Sequence, residues 1–202
     1  MARPPADLPH KPSTPPPAVT LVLGGARSGK SRFAEDLIGT APGPWVYLAT
    51  GEARDTEMAE RIRHHLERRG EGWRTVEEPL DLVAGLHRAA DEGRAILVDC
   101  LTLWVSNLMA AGRDVAGETE RLVAALPQLS APIIFVANEV GLGIVPDNAL
   151  ARAFRDGAGR VNQAVAAAAN RVYFIAAGLP LVMKDETAVA SIHRIDRKNA
   201  RS

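Results

Sequence analysis

The 202-residue chain contains one cysteine, Cys100, which excludes an intrachain disulfide framework and any cysteine-based metal cluster. It also lacks a charge excess. Its 24 Lys and Arg balance 24 Asp and Glu, so nothing calls for nucleic acid or an anionic membrane as the main partner. Long apolar runs are missing too. The longest stretch without a charge, 122–138, is interrupted by Pro127, Gln128 and Pro132, and this excludes a membrane-spanning helix there. No lysine stands between Lys30 and Lys184, which removes the guanine-reading N/T-K-x-D segment that a regulatory GTPase needs. What remains is 47% apolar and 24% charged, enough to bury a core. The expectation is one soluble, cytoplasmic-type domain.

Seven of the 14 prolines fall between Pro4 and Pro17, so residues 1–18 read as a disordered, polyproline-like leader. Five short apolar runs follow, at Val19–Leu23, Trp45–Thr50, Ala95–Asp99, Pro132–Ala137 and Val172–Ala176. Helical spacing fills segments around 30–39, 55–69, 80–92, 101–128 and 147–170. Apolar strands alternating with helices predict an α/β fold with a mainly parallel sheet and helices on both faces. The domain is expected to span 19–184, with 185–202 a polar, loosely attached tail.

Gly24-Gly25-Ala26-Arg27-Ser28-Gly29-Lys30-Ser31 fits G-x-x-x-x-G-K-[ST], after a strand and before a helix. In that setting glycines let backbone N–H groups curl around a phosphate, and the helix N-terminus adds positive charge. Lys30 would reach the β- and γ-phosphates, and the Ser31 hydroxyl would ligate Mg²⁺. Ala26 stands where a dinucleotide fingerprint needs its second glycine, so that motif is excluded. The partner acid is expected at the end of another core strand, and Ala95-Ile96-Leu97-Val98-Asp99 supplies it. Asp99 would hold Mg²⁺, cap the following helix, or both. Cys100 reads as a small buried hydrophobe rather than a nucleophile. A small-molecule kinase or nucleotidyltransferase fits these features.

The segment from Asp55 to Arg69 reads as an amphipathic helix with Asp55 as N-cap. At 100° per residue, Met58, Ile62, His65 and Leu66 share the apolar stripe, which makes His65 the packed histidine. His64 lies off the stripe beside Glu60, Arg61 and Arg68. A neutral imidazole there is a competent nucleophile toward phosphorus near pH 7, although a histidine on an exposed helix face is more often plain surface.

Together the motifs resemble the bifunctional adenosylcobinamide kinase/adenosylcobinamide-phosphate guanylyltransferases of cobalamin biosynthesis. They are GGARSGKSRFAE (24–35), VYLAT (46–50), D-x-EM-x-x-RI-x-x-H (55–64), W-R-T-x-E (73–77), the strand ending Asp99-Cys100 with T-x-W-x-x-N (102–107), NEVGLGIVP (138–146) and R-x-FRD-x-x-GR-x-NQ (152–163). The resemblance implies a RecA-like P-loop NTPase fold and a homotrimer. It also implies GTP and ATP as substrates, Mg²⁺ as cofactor and a corrinoid as the second substrate. Gly24 to Ser31 would hold the triphosphate. Ala49, Thr50 and Gly51, then His65, Leu66, Glu67 and Arg68, would line the guanine nucleotide site, with Glu77 and Asp99 as further nucleotide contacts. His64 matches the histidine that becomes guanylylated. Asn138, Glu139, Arg155 and Arg160 lie in diagnostic segments that would serve corrinoid binding, a subunit interface or a helix-end network.

Lys30→Ala is expected to lower both activities at least 100-fold, because a preorganised cation on developing phosphate charge is worth about 3 kcal/mol. Steady-state turnover within a few-fold of the parent protein would remove the phosphate-loop assignment.

Overall fold

A computed structural model describes residues 12, 16, 18–51, 72–90 and 93–186. Its elements in chain order are β1 (Val19–Gly24), α1 (Lys30–Ile38), β2 (Trp45–Ala49), β3 (Trp73–Glu77), α2 (Leu82–Ala90), β4 (Ile96–Asp99), α3 (Leu101–Ala110), α4 (Val115–Ala125) with a 3₁₀ turn at Leu126–Gln128, β5 (Ile133–Asn138), α5 (Ala149–Ala168), β6 (Arg171–Ala176) and β7 (Leu179–Asp185).

The seven strands form one sheet in the order β3-β2-β4-β5-β1-β6-β7. All neighbours are parallel except β6 and β7. β1, an inner strand between β5 and β6, is buried along its whole length, as expected for a strand covered on both faces. Period-two alternation then divides the core. Leu21, Leu23, Val46, Leu48, Ile96, Val98, Ile133 and Phe135 face one layer, with Leu86, Leu101, Trp104, Leu122, Val161 and Val165 of α2 to α5. Val22, Tyr47, Leu97, Ile134 and Val136 face the other, against Phe33, Ala34, Leu37 and Ile38 of α1.

Three features differ from the sequence expectation. The segment 101–128 is two helices rather than one. Gly112 adopts φ 65 after α3, and the Asp114 side chain accepts the Ala116 N–H to cap α4. Two strands had no apolar run to announce them. β3 is an edge strand, exposed at Arg74, Thr75 and Glu77 and half-buried only at Trp73 and Val76. β7 is an antiparallel edge strand that starts Leu-Pro-Leu and leaves Leu181, Val182 and Met183 exposed. β7 also runs to Asp185, whose carboxylate pairs with Arg171 at 3.1 Å, one residue past the expected domain end. The expected helix at 55–69 and the leader and tail, apart from Pro12, Pro16, Ala18, Asp185 and Glu186, lie outside the described residues.

Helix α3 ties the strand ends together through one motif. Thr102 Oγ1 accepts the Asn138 N–H at 2.7 Å, fixing the end of β5. Trp104 Nε1 donates to the Leu80 carbonyl at 2.9 Å, beyond β3. Asn107 Nδ2 donates to the Thr50 carbonyl at 2.7 Å and the Pro79 carbonyl at 3.2 Å. T-x-W-x-x-N is thus a set of three buried clamps on one helix, reaching three strand ends. Asn107→Ala would leave two carbonyls without their donor, and a loss of about 2 kcal/mol is expected. Urea denaturation should show it as a lower midpoint at unchanged slope. An unmoved midpoint would mean that the clamp contributes nothing.

Candidate nucleotide site

The parallel strands bring residues distant in sequence to one edge of the sheet. Register pairs Glu77 with Ala49, Ala49 with Asp99, Asp99 with Val136, Asn138 with Gly24, and Gly24 with Ile175. This is the carboxyl edge of the sheet, where open α/β folds take ligands.

The loop 24–31 leaves β1 at the middle of that edge. Gly24 is required by space. A methyl group there would meet Ser28 Oγ at 2.5 Å and the Ile175 carbonyl oxygen at 2.6 Å. Arg27 (φ 56) and Gly29 (φ 97) turn the chain into the left-handed region, and Gly29 is the N-cap of α1. No described side chain caps this helix and its first turn carries no acid, so nothing described neutralises its positive end. The Ser28 hydroxyl is buried without a partner among the described residues, a second sign that the loop is shaped for a group from outside the chain. The Lys30 ammonium folds back to the Gly25 carbonyl at 3.3 Å.

The loop is backed by a feature that sequence reading missed. Ala176 pairs with Leu179, so Ala177 (φ 50) and Gly178 (φ 79) form a two-residue hairpin turn with both central φ positive. The Gly178 N–H donates to the Ser28 carbonyl at 2.9 Å, and a methyl group on Gly29 would meet Gly178 Cα at 3.2 Å. The pattern Ala-Gly between two strands was the available signal, hidden because Pro180 disguised β7.

Asp99 ends β4 half-buried, and no described residue bonds or pairs with its carboxylate. Cys100, not Asp99, occupies the N-cap position of α3. The Asp99–Cys100 peptide is cis. Burial, followed by the neighbouring Asp99 charge, pushes the Cys100 thiol up to about 12, with the Lys30 charge acting weakly the other way.

Thr50 is fully buried. Its hydroxyl accepts the Cys100 N–H at 2.8 Å and donates to the Cys100 carbonyl at 2.7 Å. This leaves the half-buried Ala49 and Gly51 as the more open parts of that segment. Glu77 is exposed at the end of β3. His64, His65, Leu66, Glu67 and Arg68 lie outside the described residues.

In the 138–163 region the Glu139 N–H donates to the Gly24 carbonyl at 3.0 Å, and Asn162 Nδ2 donates to the Asn138 carbonyl at 3.2 Å. The main chain of Asn138 and Glu139 is thus tied to α5 and to the start of the phosphate loop. Arg155 and Arg160 instead line a separate pocket with Gly141, Asp156, Gly159 and Gln163.

The sheet, the loop and its uncapped helix define a P-loop NTPase of RecA-like architecture. Solved structures share this fold at low identity. One is a KaiC-like protein from Pyrococcus horikoshii, with TM-score 0.52, 14% identity and coverage of 86% of this chain and 82% of that one. Another is an ATPase of a bacterial type III secretion system, with TM-score 0.55, 13% identity and coverage of 85% and 57%. A family profile described as cobinamide kinase/cobinamide phosphate guanyltransferase matches residues 20–183. The bifunctional adenosylcobalamin biosynthesis protein CobP of Pseudomonas aeruginosa is 49% identical over 168 residues, 82% of this chain and 97% of the relative. The CobU proteins of Escherichia coli and Salmonella typhimurium are 43% and 45% identical over 81% of this chain and 98% of each relative. The chain belongs to the cobinamide kinase/cobinamide phosphate guanyltransferase family and is an enzyme of that bifunctional class. Among the described residues no helix is long and apolar enough to cross a membrane.

The Cys100 thiol gives a direct readout of how tightly this edge is closed. With its pKa raised from near 9 to about 12, the folded state holds the proton longer than the unfolded chain. Its contribution to stability is therefore complete below pH 9 and lost as pH rises toward 12. At pH 8.5 iodoacetamide should alkylate the native thiol on the order of 10³-fold more slowly than the denatured one. Comparable rates would show that the strand end opens readily.

Proposed function

We propose that the protein phosphorylates adenosylcobinamide and then transfers GMP from GTP to the product through a histidine intermediate, within adenosylcobalamin biosynthesis. Family membership over residues 20–183 is the observation that carries this reading. The shape of the phosphate loop supports its nucleotide half.

In the kinase step the loop 24–31 and Lys30 hold the triphosphate of ATP or GTP. The aminopropanol hydroxyl of adenosylcobinamide forms a bond to the γ-phosphorus as the bond to the β–γ bridging oxygen breaks. A nucleoside diphosphate leaves, and the hydroxyl proton is released. Positioning and charge neutralisation by the loop N–H groups and Lys30 do most of this work.

The residues present fit a magnesium ion. Ser31 supplies a hydroxyl at the start of α1, and Asp99 supplies a carboxylate with no described partner, both hard oxygen donors. When bound there, Mg²⁺ would neutralise phosphate charge.

In the transfer step a ring nitrogen of His64 attacks the α-phosphorus of GTP, the α–β bridging bond breaks, and pyrophosphate leaves. A phosphate oxygen of adenosylcobinamide phosphate then attacks the same phosphorus and the phosphorus–nitrogen bond breaks. Adenosylcobinamide-GDP forms and His64 is regenerated. The match of D-x-EM-x-x-RI-x-x-H to residues 55–64 supports His64, and the packed position expected of His65 argues against its histidine neighbour.

Incubation with α-labelled GTP tests the reading. The parent protein and His65→Ala should take up label that is lost in mild acid and survives base. His64→Ala should take up none and still phosphorylate adenosylcobinamide. Label on the His64 variant, or loss of its kinase activity in a folded protein, would overturn the assignment.

A further inference from the structure

A cavity of about 320 Å³ lies against the exposed face of α5, lined by Gly141, Arg155, Asp156, Gly159, Arg160 and Gln163. It opens at the same sheet edge as the phosphate loop but is separate from it. Gly141, one wall, stands two residues beyond Glu139, whose N–H is bonded to the Gly24 carbonyl. Asn162, beside Gln163, is bonded to the end of β5.

Gly159 is the telling residue. A glycine inside a helix costs stability relative to alanine, so packing or an outside group has to explain it. A methyl group on Gly157 would make ordinary packing contacts, with Val105 at 3.7 Å and Val115 at 4.0 Å. A methyl group on Gly159 would meet nothing within 4 Å. No described part of the chain needs the space above it.

The charges around the pocket are those of Arg155, Asp156 and Arg160, with the Glu139 carboxylate accepting the Gly141 N–H behind that wall. Asp156 accepts from Arg155 Nε and one terminal nitrogen at 3.1 and 3.0 Å, which balances that pair. Arg160 is exposed, and no described residue bonds or pairs with it. The pocket therefore offers the Arg160 guanidinium and the Gln163 amide, with open space over Gly159 between them. That donor set suits a phosphate monoester, for which a guanidinium fork is the better match than an ammonium. Beyond the Gly141 wall the chain exposes Leu142, Ile144 and Val145, an apolar shelf next to the pocket.

We infer that this pocket seats the phosphate of cobinamide phosphate, the second acceptor, with the corrin ring lying over the 142–145 shelf. The inference rests on the proposed function for the identity of the acceptor. The nucleotide phosphates already have their seat at 24–31, so the anion expected here is the acceptor's. A cavity of this size admits a phosphate and its linker, and the macrocycle stays outside on the shelf.

Equilibrium binding to the full-length protein, without turnover, tests the site. The parent protein should bind cobinamide phosphate about tenfold or more tightly than cobinamide, the strength of a charge-assisted hydrogen bond. Arg160→Ala should erase that preference and leave GTP affinity unchanged. Gly159→Leu, which fills the cavity with a better helix former, should raise the melting temperature while weakening cobinamide phosphate binding at least tenfold. This opposite movement is one that a purely structural glycine would not give. Equal affinity of the parent protein for the two corrinoids would overturn the inference. So would an unchanged preference in Arg160→Ala, or a parallel loss of GTP affinity. Equal loss of every ligand with a shift in sedimentation would make the pocket a contact between copies and overturn it as well. Failure of GTP labelling in the parent protein would strike the histidine mechanism alone, because these binding measurements need no covalent step.

Discussion

The carboxyl edge of the sheet depends on one reciprocal contact, the Thr50 hydroxyl held between the N–H and the carbonyl of Cys100. One small side chain uses its donor and an acceptor on a single residue of the neighbouring strand end. That fixes where β2 stops relative to β4. Asn107 then locks the Thr50 carbonyl from the helix that Cys100 caps, so strand, strand and helix close a loop of hydrogen bonds. Asp99 sits inside this closed frame with its carboxylate unclaimed by any described residue. Its direction is set by its neighbours' bonds, and the carboxylate itself is left available for chemistry.

The phosphate loop is fixed by a different means. Its geometry depends on backbone meeting backbone at Gly24 with Ile175 and at Gly29 with Gly178, contacts with no room for a side chain on the glycine. The frame at the ends of β2 and β4 is made of side-chain bonds, whereas the loop is held by excluded volume, with the Lys30 ammonium folded back on the Gly25 carbonyl. The arrangement is stiff on both sides of the space where a triphosphate would lie, in keeping with catalysis that works mainly by positioning.

Much of this was legible in the amino-acid order, and the reason is physical. Val19–Gly24 and Ile133–Asn138 are central parallel strands buried on both faces, and such strands must be apolar almost throughout. The loop could be read because its residue types follow from what backbone must do around a phosphate. β3 and β7 were not legible because edge strands are under no such demand. Trp73–Glu77 is mostly exposed and has only Trp73 and Val76 as apolar residues, and Leu179–Asp185 contains a proline that an edge tolerates. The division of 101–128 turned on Gly112, one residue whose left-handed φ outweighs helical spacing on both sides. Thr102, Trp104 and Asn107 were visible as a pattern, yet their three different targets are set by tertiary placement alone. Gly159 had no signal at all, since a helix glycine matters only once the space around it is known.

The turn at Ala177 and Gly178 has a practical consequence. Two-residue hairpin tips are ordinarily where a chain accepts an inserted tag or new termini, because little else touches them. Here the tip is the rear wall of the phosphate loop. This protein is therefore closed to such surgery at 177–178, and a fusion placed there would be felt first as weaker nucleotide binding rather than as a loss of folding.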